Sequence, residues 1–449
     1  MSPSPAGRVR ETFGSRLGVL ATMIGVAVGL GNVWRFPYMA GRHGGGAFVL
    51  LYLAIALLVG VPALMAEWSL GRHTRRGTLE AYRAAGLPAG RAVGWTLCVI
   101  VLVALGYYNA AIGWVLWHAV AEAAAPFGRP LAGAAILPPE SGFAPGAFLG
   151  QAALTAVVLA AQATVLVLGL RRGVERASRV LTPLLFLSLL VLAVRSLTLP
   201  GAGEGVRWLL AFHPGELSVS VALAALGQVV FSLALGGTFM VTYGSYLADD
   251  ASLRNDAALT VLGDTGAGIL AGLAIFPAVF AFGLEPASGP GLLFDTVPRV
   301  FAQLPAGWLF GLLFFAALGG AALLSGIAAF QVLVDAADEV LGWERRRAVR
   351  TLALATFVLA LPPMVNLRIF VPWDLTFGSG GQTFGAVVAV VTVGWALHRG
   401  HLLRQLGGDH PGPLDGLLAW WLRWIIPAAV AGAAAWWLLT DVFGAVAGV

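Results

Sequence analysis

The stretch Gly25-Val-Ala-Val-Gly-Leu-Gly-Asn-Val-Trp-Arg-Phe-Pro37 combines groups that a lipid-facing helix excludes. Three glycines, Asn32 and Arg35 lie inside an apolar segment long enough to cross a bilayer. Unwound backbone at membrane depth is tolerated only where protein buries it or where it lines a cavity. Glycines that loosen a helix free carbonyl oxygens for a hard cation, and half-helix N-termini offer N–H groups and a positive dipole end to an anion such as a carboxylate. The chemistry implied is capture of a small solute and an ion rather than bond making. A second stretch, Gly227-Gln-Val-Val-Phe-Ser-Leu-Ala-Leu-Gly-Gly-Thr-Phe-Met-Val-Thr-Tyr243, shows the same device, with Gly236 and Gly237 just after Ser232. One glycine pair would equally serve close helix packing. Two interrupted spans at corresponding places point to an inverted-repeat carrier.

The elements that must position these breaks are membrane helices. Of 449 residues, 59% are hydrophobic and only 11% charged, too little charge to cover a water-soluble surface. Eleven segments approach the ~20 residues a spanning helix needs. They fall near 17–40, 46–70, 93–122, 147–170, 180–198, 219–247, 258–283, 306–341, 349–366, 376–397 and 420–441. The sequence therefore predicts an all-α integral membrane protein with one transporter domain over 1–449. Helices 1–5 (about 17–198) and 6–10 (about 219–397) form a 5+5 inverted repeat with helices 1 and 6 unwound, and helix 11 covers about 420–441.

Loop arginines orient the bundle. One side collects Arg72, Arg75, Arg76, Arg83 and Arg91, then Arg171, Arg172, Arg176 and Arg179, then Arg254, Arg345, Arg346, Arg347, Arg350, Arg399 and Arg404. The other holds mainly Arg42, Arg129, Arg207, Arg299 and Arg368. The positive-inside rule predicts a cytoplasmic N-terminus and an external C-terminus, in a multi-pass protein of the cell inner membrane. Loop 71–92, with Leu79, Tyr82 and Leu87 among arginines, is expected to form an interfacial helix. Loop 284–305, rich in proline and apolar residues, is expected to fold into short helices over the external mouth.

Other classes find little support. Basic charge dispersed over loops argues against a nucleic-acid partner. The seven histidines have no metal-ligand spacing, and no phosphate-cradling Gly-Lys motif exists. Cys98, the single cysteine, excludes an intramolecular disulfide. The chain is not expected to be an enzyme, and Glu67 beside Trp68 is given a structural or gating role.

Gly29-Leu-Gly-Asn-Val-Trp-Arg-Phe-Pro37, Gly44-Gly-Gly-Ala-Phe48, Pro62…Glu67-Trp…Gly71-Arg72 and Tyr107-Tyr108 together closely resemble the neurotransmitter:sodium symporter family. Gln228…Phe231-Ser232…Thr242-Tyr243…Ser245-Tyr246 and Ala271-Gly272…Phe276 extend the resemblance, which fits the bacterial eleven-helix subset. It implies symport of a substrate with sodium by alternating access. A carboxylate would meet the backbone near Val26, Ala27 and Gly29 and the hydroxyl of Tyr108. Monoamine carriers of the family resemble one another in an acidic residue at the Gly29 position, so glycine there implies a substrate that brings its own carboxylate.

The resemblance maps a first sodium site to Ala27, Asn32, Ser232 and Asp264. Asp264 stands where an asparagine is usual, and Gly268 stands at the position that distinguishes chloride dependence. Asp264 is expected to be both ligand and the fixed charge that replaces chloride. A second sodium site maps to Gly25, Val28, Ala321 and Ser325, with Leu324 where a hydroxyl is usual. The substrate pocket maps to Ala104, Tyr108, Phe231, Ser232, Ala234, Gly237, Ser325 and Ala329, with Phe231 as an aromatic lid. Its small walls suit a large neutral side chain, so hydrophobic or aromatic amino acids are expected. The outer gate maps to Arg35 with Asp374, because Phe377 holds the usual acid position. The inner gate maps to Arg10 with Glu339, covered by Phe13 and Tyr246. Proton coupling through Asp264 and a non-translocating receptor are the alternatives.

Overall fold

The computed structural model describes residues 11–128, 136–212, 214–286, 292–407 and 412–439. Arg10 lies outside the described residues. Span one is made of Arg16–Ala27 and Gly31–Arg42, bent by 53° at the break. Spans two to five are Gly46–Thr74, Gly90–Phe127, Pro145–Val167 and Leu170–Leu197. Span six is two short helices, Val219–Ser232 and Phe239–Gly244. Spans seven to ten are Leu253–Ala281, Gly307–Leu341, Arg345–Met364 and Leu367–Ala396, and span eleven is Pro413–Trp437. No strand occurs among the described residues.

Local chemistry sets the starts. Ser15 accepts from the Gly18 N–H at 3.0 Å, Ser218 from Val221 at 3.2 Å and Asn366 from Ile369 at 3.2 Å. Each satisfies a donor that a helix N-terminus leaves without an intrahelical partner. The apolar runs marked only the hydrocarbon-embedded part of several helices. Span five begins at Leu170 rather than near 180, and span ten at Leu367 rather than near 376. Polar turns carrying Arg171, Arg172 and Arg176 extend the first, and Pro372 and Asp374 fall inside the second.

Burial separates core from rim. The most apolar windows of spans three and eight are each 61% buried, against 28% for span eleven. Leu184, Leu187, Leu190 and Val194 of span five are exposed, as a lipid-facing surface requires. Phe36, Tyr52, Trp68 and Tyr243 are fully buried around the two breaks.

The breaks are built by hydrogen bonds as well as by glycine. In span one the Gly29 N–H donates to Asn32 Oδ1 at 3.1 Å, so the Gly25 carbonyl loses its helical donor. In span six the chain turns through left-handed residues at Ala234 (φ 50°) and Gly237 (φ 65°). Side chains then satisfy the freed backbone. Glu67 Oε1 accepts from both Gly236 and Gly237 N–H at 2.9 Å. The Tyr82 hydroxyl donates to the Gly237 carbonyl at 2.6 Å, Gln382 Nε2 to the Val230 carbonyl at 3.1 Å and Gln228 Nε2 to the Gly31 carbonyl at 2.9 Å. Buried backbone groups left unpaired would cost far more than these side chains lose on ordering.

The loop helices differ in part from expectation. Thr78–Ala84 does form, but Leu79 and Tyr82 are buried among the spans rather than lying at an interface. Its Tyr82 reaches the break in span six, and that bond draws it inward. Leu292–Thr296 and Val297–Ala302 form short helical turns in the long loop before span eight. Span ten crosses span six where Gly385 meets Gly236. A Cβ on Gly385 would stand 1.9 Å from the Gly236 carbonyl oxygen. Gly385→Ala is expected to destabilise the protein by about 1–3 kcal/mol, the usual cost of overpacking, read as a lowered melting temperature in detergent.

Candidate functional site

The two breaks meet at a buried oxygen-rich cluster. Asp264 of span seven is fully buried. Asn32 Nδ2 donates to its Oδ1 at 2.7 Å and to its main-chain carbonyl at 2.9 Å. Ser232 Oγ lies 3.0 and 2.8 Å from the two carboxylate oxygens and 2.8 Å from Asn32 Nδ2. The Tyr52 hydroxyl donates to Oδ2 at 3.0 Å. One carboxylate, one amide and two hydroxyls form a donor set for a hard monovalent cation. Rotation of the Asn32 amide would turn its oxygen toward such an ion. Among the described residues no three His, Cys, Asp or Glu side chains are grouped to hold a metal.

Beside this cluster lies a cavity of about 130 Å³ open to water-sized molecules, between the two breaks and spans three, eight and ten. Its walls include Val26, Ala27 and Gly29 of span one, Ala104 and Tyr108 of span three, Phe231 and Ala234 of span six, and Ser325 and Ala329 of span eight. A Cβ on Gly29 would stand 2.6 Å from Ser325 Oγ and 3.3 Å from the Tyr108 hydroxyl. Both hydroxyls thus converge on bare backbone, an arrangement able to bind a carboxylate. Ser325 Oγ also lies 3.3 Å from the Val26 carbonyl. Apolar walls continue along Leu97, Ile100, Val101 and Phe239.

Two mapped wall residues stand elsewhere. Ser232 faces the Asp264 cluster. Gly237 does not line the cavity: a Cβ there would meet the Tyr82 hydroxyl at 2.1 Å and the Gly385 carbonyl at 2.6 Å. Its left-handed turn points it into packing between span ten and the 78–84 helix.

Around the second mapped ion position, a Cβ on Gly25 would meet Thr182 Oγ1 at 2.6 Å and Leu324 Cδ1 at 2.9 Å. Val28 and Ala321 are buried nearby, and Ser325 Oγ is 3.5 Å from the Ala321 carbonyl.

The expected inner-gate residue Arg10 lies outside the described residues, and the other gate residues make the following contacts. Arg35 lies with its guanidinium 4.4 Å above the Phe231 ring and its Nε 3.4 Å from the Tyr38 hydroxyl. Asp374 is hydrogen-bonded by Tyr107 and lies within electrostatic reach of Arg35. On the arginine-rich side Glu339 Oε1 accepts from the Gly77 N–H at 2.8 Å. Tyr246 bonds Asp335, accepts from Gln331 Nε2 at 2.9 Å and meets Phe13 edge-on at 6.1 Å. Gln331 Nε2 also donates to Asp335 Oδ1 at 2.6 Å, and neither residue was among the expected gate positions.

Comparison with known proteins decides the family. The sequence matches the model of the sodium:neurotransmitter symporter family over residues 10–126 and 147–402. The chain belongs to the sodium:neurotransmitter symporter family. Among symporter relatives, the sodium-dependent transporter YhdH of Bacillus subtilis, itself uncharacterised, is 34% identical over 93% of this chain and 95% of its own length. A sodium-dependent serotonin transporter of Drosophila melanogaster is 30% identical over 80% of this chain and 64% of its own length. The crystal structure of MhsT in complex with L-phenylalanine aligns with a TM-score of 0.81 and 31% identity, covering 95% of this chain and 99% of that one. The protein is thus a sodium-dependent membrane transporter and not an enzyme.

Proposed function

We propose that the protein is a sodium-coupled symporter that imports a hydrophobic or aromatic amino acid by alternating access, without requiring chloride. The observation that carries this is the convergence of Gly29 backbone, Tyr108 and Ser325 hydroxyls and an apolar-walled cavity directly beside the Asp264 cluster. The carboxylate of the substrate would sit at the polar end. Its side chain would extend along Ala104, Ala234 and Ala329 under Phe231, where small residues leave room and apolar surface rewards burial. Sodium held by Ala27, Asn32, Ser232 and Asp264 would neutralise the bound carboxylate, which couples ion to solute. L-phenylalanine is bound in the MhsT structure, a solute of the class the cavity suits. The arginine-rich side is assigned to the cytoplasm of the cell inner membrane. The Arg35–Asp374 region then forms the outer gate, and Tyr246, Glu339 and Arg10 form the inner one.

Proteoliposomes test this directly. An inward sodium gradient should drive uptake of labelled leucine, and replacing chloride with gluconate should leave the rate unchanged. Unlabelled tryptophan should compete at least tenfold better than glycine, since a large apolar side chain gains roughly 1.5–3 kcal/mol on full burial. Better competition by glycine would overturn the substrate class, and a strict chloride requirement would overturn the role given to Asp264.

A further inference from the structure

We infer that this carrier binds one sodium ion per cycle, at the Asn32–Ser232–Asp264 cluster, because Leu324 fills the position where a second would bind. The inference rests on the symporter reading above and concerns the number of ions it couples. The resemblance maps the second position to the backbone of Gly25, Val28 and Ala321 and the hydroxyl of Ser325. A dehydrated cation in a protein interior must recover its lost water ligands as oxygen atoms, or desolvation excludes it. Leu324 is 3% exposed, and its Cδ1 stands 2.9 Å from the Cβ position of Gly25. The isobutyl group therefore offers no oxygen at this position and packs closely against Gly25.

The nearest neighbouring hydroxyls are engaged in bonds of their own. Thr182 Oγ1 of span five lies 2.6 Å from the same Cβ position, and its proton is committed to the Ala21 carbonyl at 3.0 Å, so the Thr182→Val variant tests whether its oxygen contributes. Ser178 Oγ is farther, at 3.8 Å. Ser325 Oγ is turned toward the Val26 carbonyl and the substrate cavity. The first cluster, by contrast, has an intramembrane carboxylate to balance one cation.

Ion number is read from the accumulation ratio in proteoliposomes held at zero membrane voltage. With a tenfold inward sodium gradient, a one-ion carrier concentrates substrate about tenfold and a two-ion carrier about a hundredfold, since each ion contributes one gradient's worth of free energy. Equilibrium binding of sodium-22 to the purified full-length protein should give one ion per chain. Leu324→Ser should restore both hydroxyl and volume, raising the count to two and the ratio toward a hundredfold. Thr182→Val should leave both at wild-type values. A wild-type count of two, or a ratio near a hundredfold, would overturn the inference. So would a wild-type count of two that Thr182→Val lowers to one, since span five would then complete the site. If Leu324→Ser does not fold, the wild-type count decides alone. Absence of any sodium-driven accumulation would refute the symporter reading, while the sodium-22 count would still decide the number of ions.

Discussion

Asp264→Ser is expected to abolish sodium-driven uptake in chloride-free medium and to permit part of it when chloride is supplied. The wild-type carboxylate receives hydrogen bonds from Tyr52, Ser232 and Asn32 at 2.7–3.0 Å. A sodium ion among them would be a buried charge balanced by Asp264. Removing one partner of a buried ion pair costs about 3–5 kcal/mol, which corresponds to a loss of sodium affinity of about a hundredfold or more. Serine keeps a hydroxyl ligand but vacates the space of a carboxylate. The donors left facing that space, Tyr52, Ser232 and the Asn32 amide, are those an anion would need. Chloride should enter and restore the missing negative charge. Sodium dependence of uptake, measured with chloride and with gluconate, checks this. Wild-type rates for Asp264→Ser in gluconate would remove Asp264 from the ion site. A second variant, Tyr52→Phe, should lower the chloride-supported rate of Asp264→Ser further, because it deletes one donor to the anion.

Much of this site was legible in the sequence because membrane depth makes polarity conspicuous. Asn32, Ser232 and Asp264 have no reason to lie in hydrocarbon-length segments unless they meet one another or a solute. The structure brings all three within hydrogen-bond distance. Tyr52 escaped notice because a tyrosine in an aromatic-rich span reads equally as packing. The signal was available: a hydroxyl in the middle of an otherwise apolar span must find a partner. Gly237 was misplaced for the opposite reason. Glycine beside a break serves a turn, a close contact or a cavity wall with the same letter, and only the φ of 65° and the 2.1 Å approach of Tyr82 separate these. The crowding of Leu324 against Gly25 was foreseeable from residue type, but the position of Thr182 was not. Contacts among three separate spans depend on helix rotation, which periodicity in long, uniformly apolar segments leaves open. At the outer gate the long Arg35 side chain has Phe231, Tyr38 and Asp374 in reach, a choice that residue type alone does not make.

Glu67→Ala is expected to cost more in binding and stability than any substitution in the cavity wall, although Glu67 touches no solute. The peptide between Ser232 and Phe239 has left the helix, and its N–H groups at Gly236 and Gly237 have one acceptor in common, Glu67 Oε1. The carboxylate is buried within the last two turns or so of span two, where water does not replace it. Truncation leaves two buried donors unsatisfied, at about 1–3 kcal/mol each. Phe231 and Ala234 are carried by this same segment, so a loosened turn also misplaces the lid and one wall. Substrate affinity should therefore fall at least tenfold, together with a melting temperature lowered by several degrees. Glu67→Gln separates the two ways a carboxylate can act. The amide oxygen can accept both bonds, so most of the affinity should return if hydrogen bonding is what matters. Glutamine behaving as badly as alanine would show that negative charge holds the turn. Wild-type binding by Glu67→Ala would mean that the break in span six is self-supporting, and that Tyr82 and Gln382 suffice to position the segment over the solute.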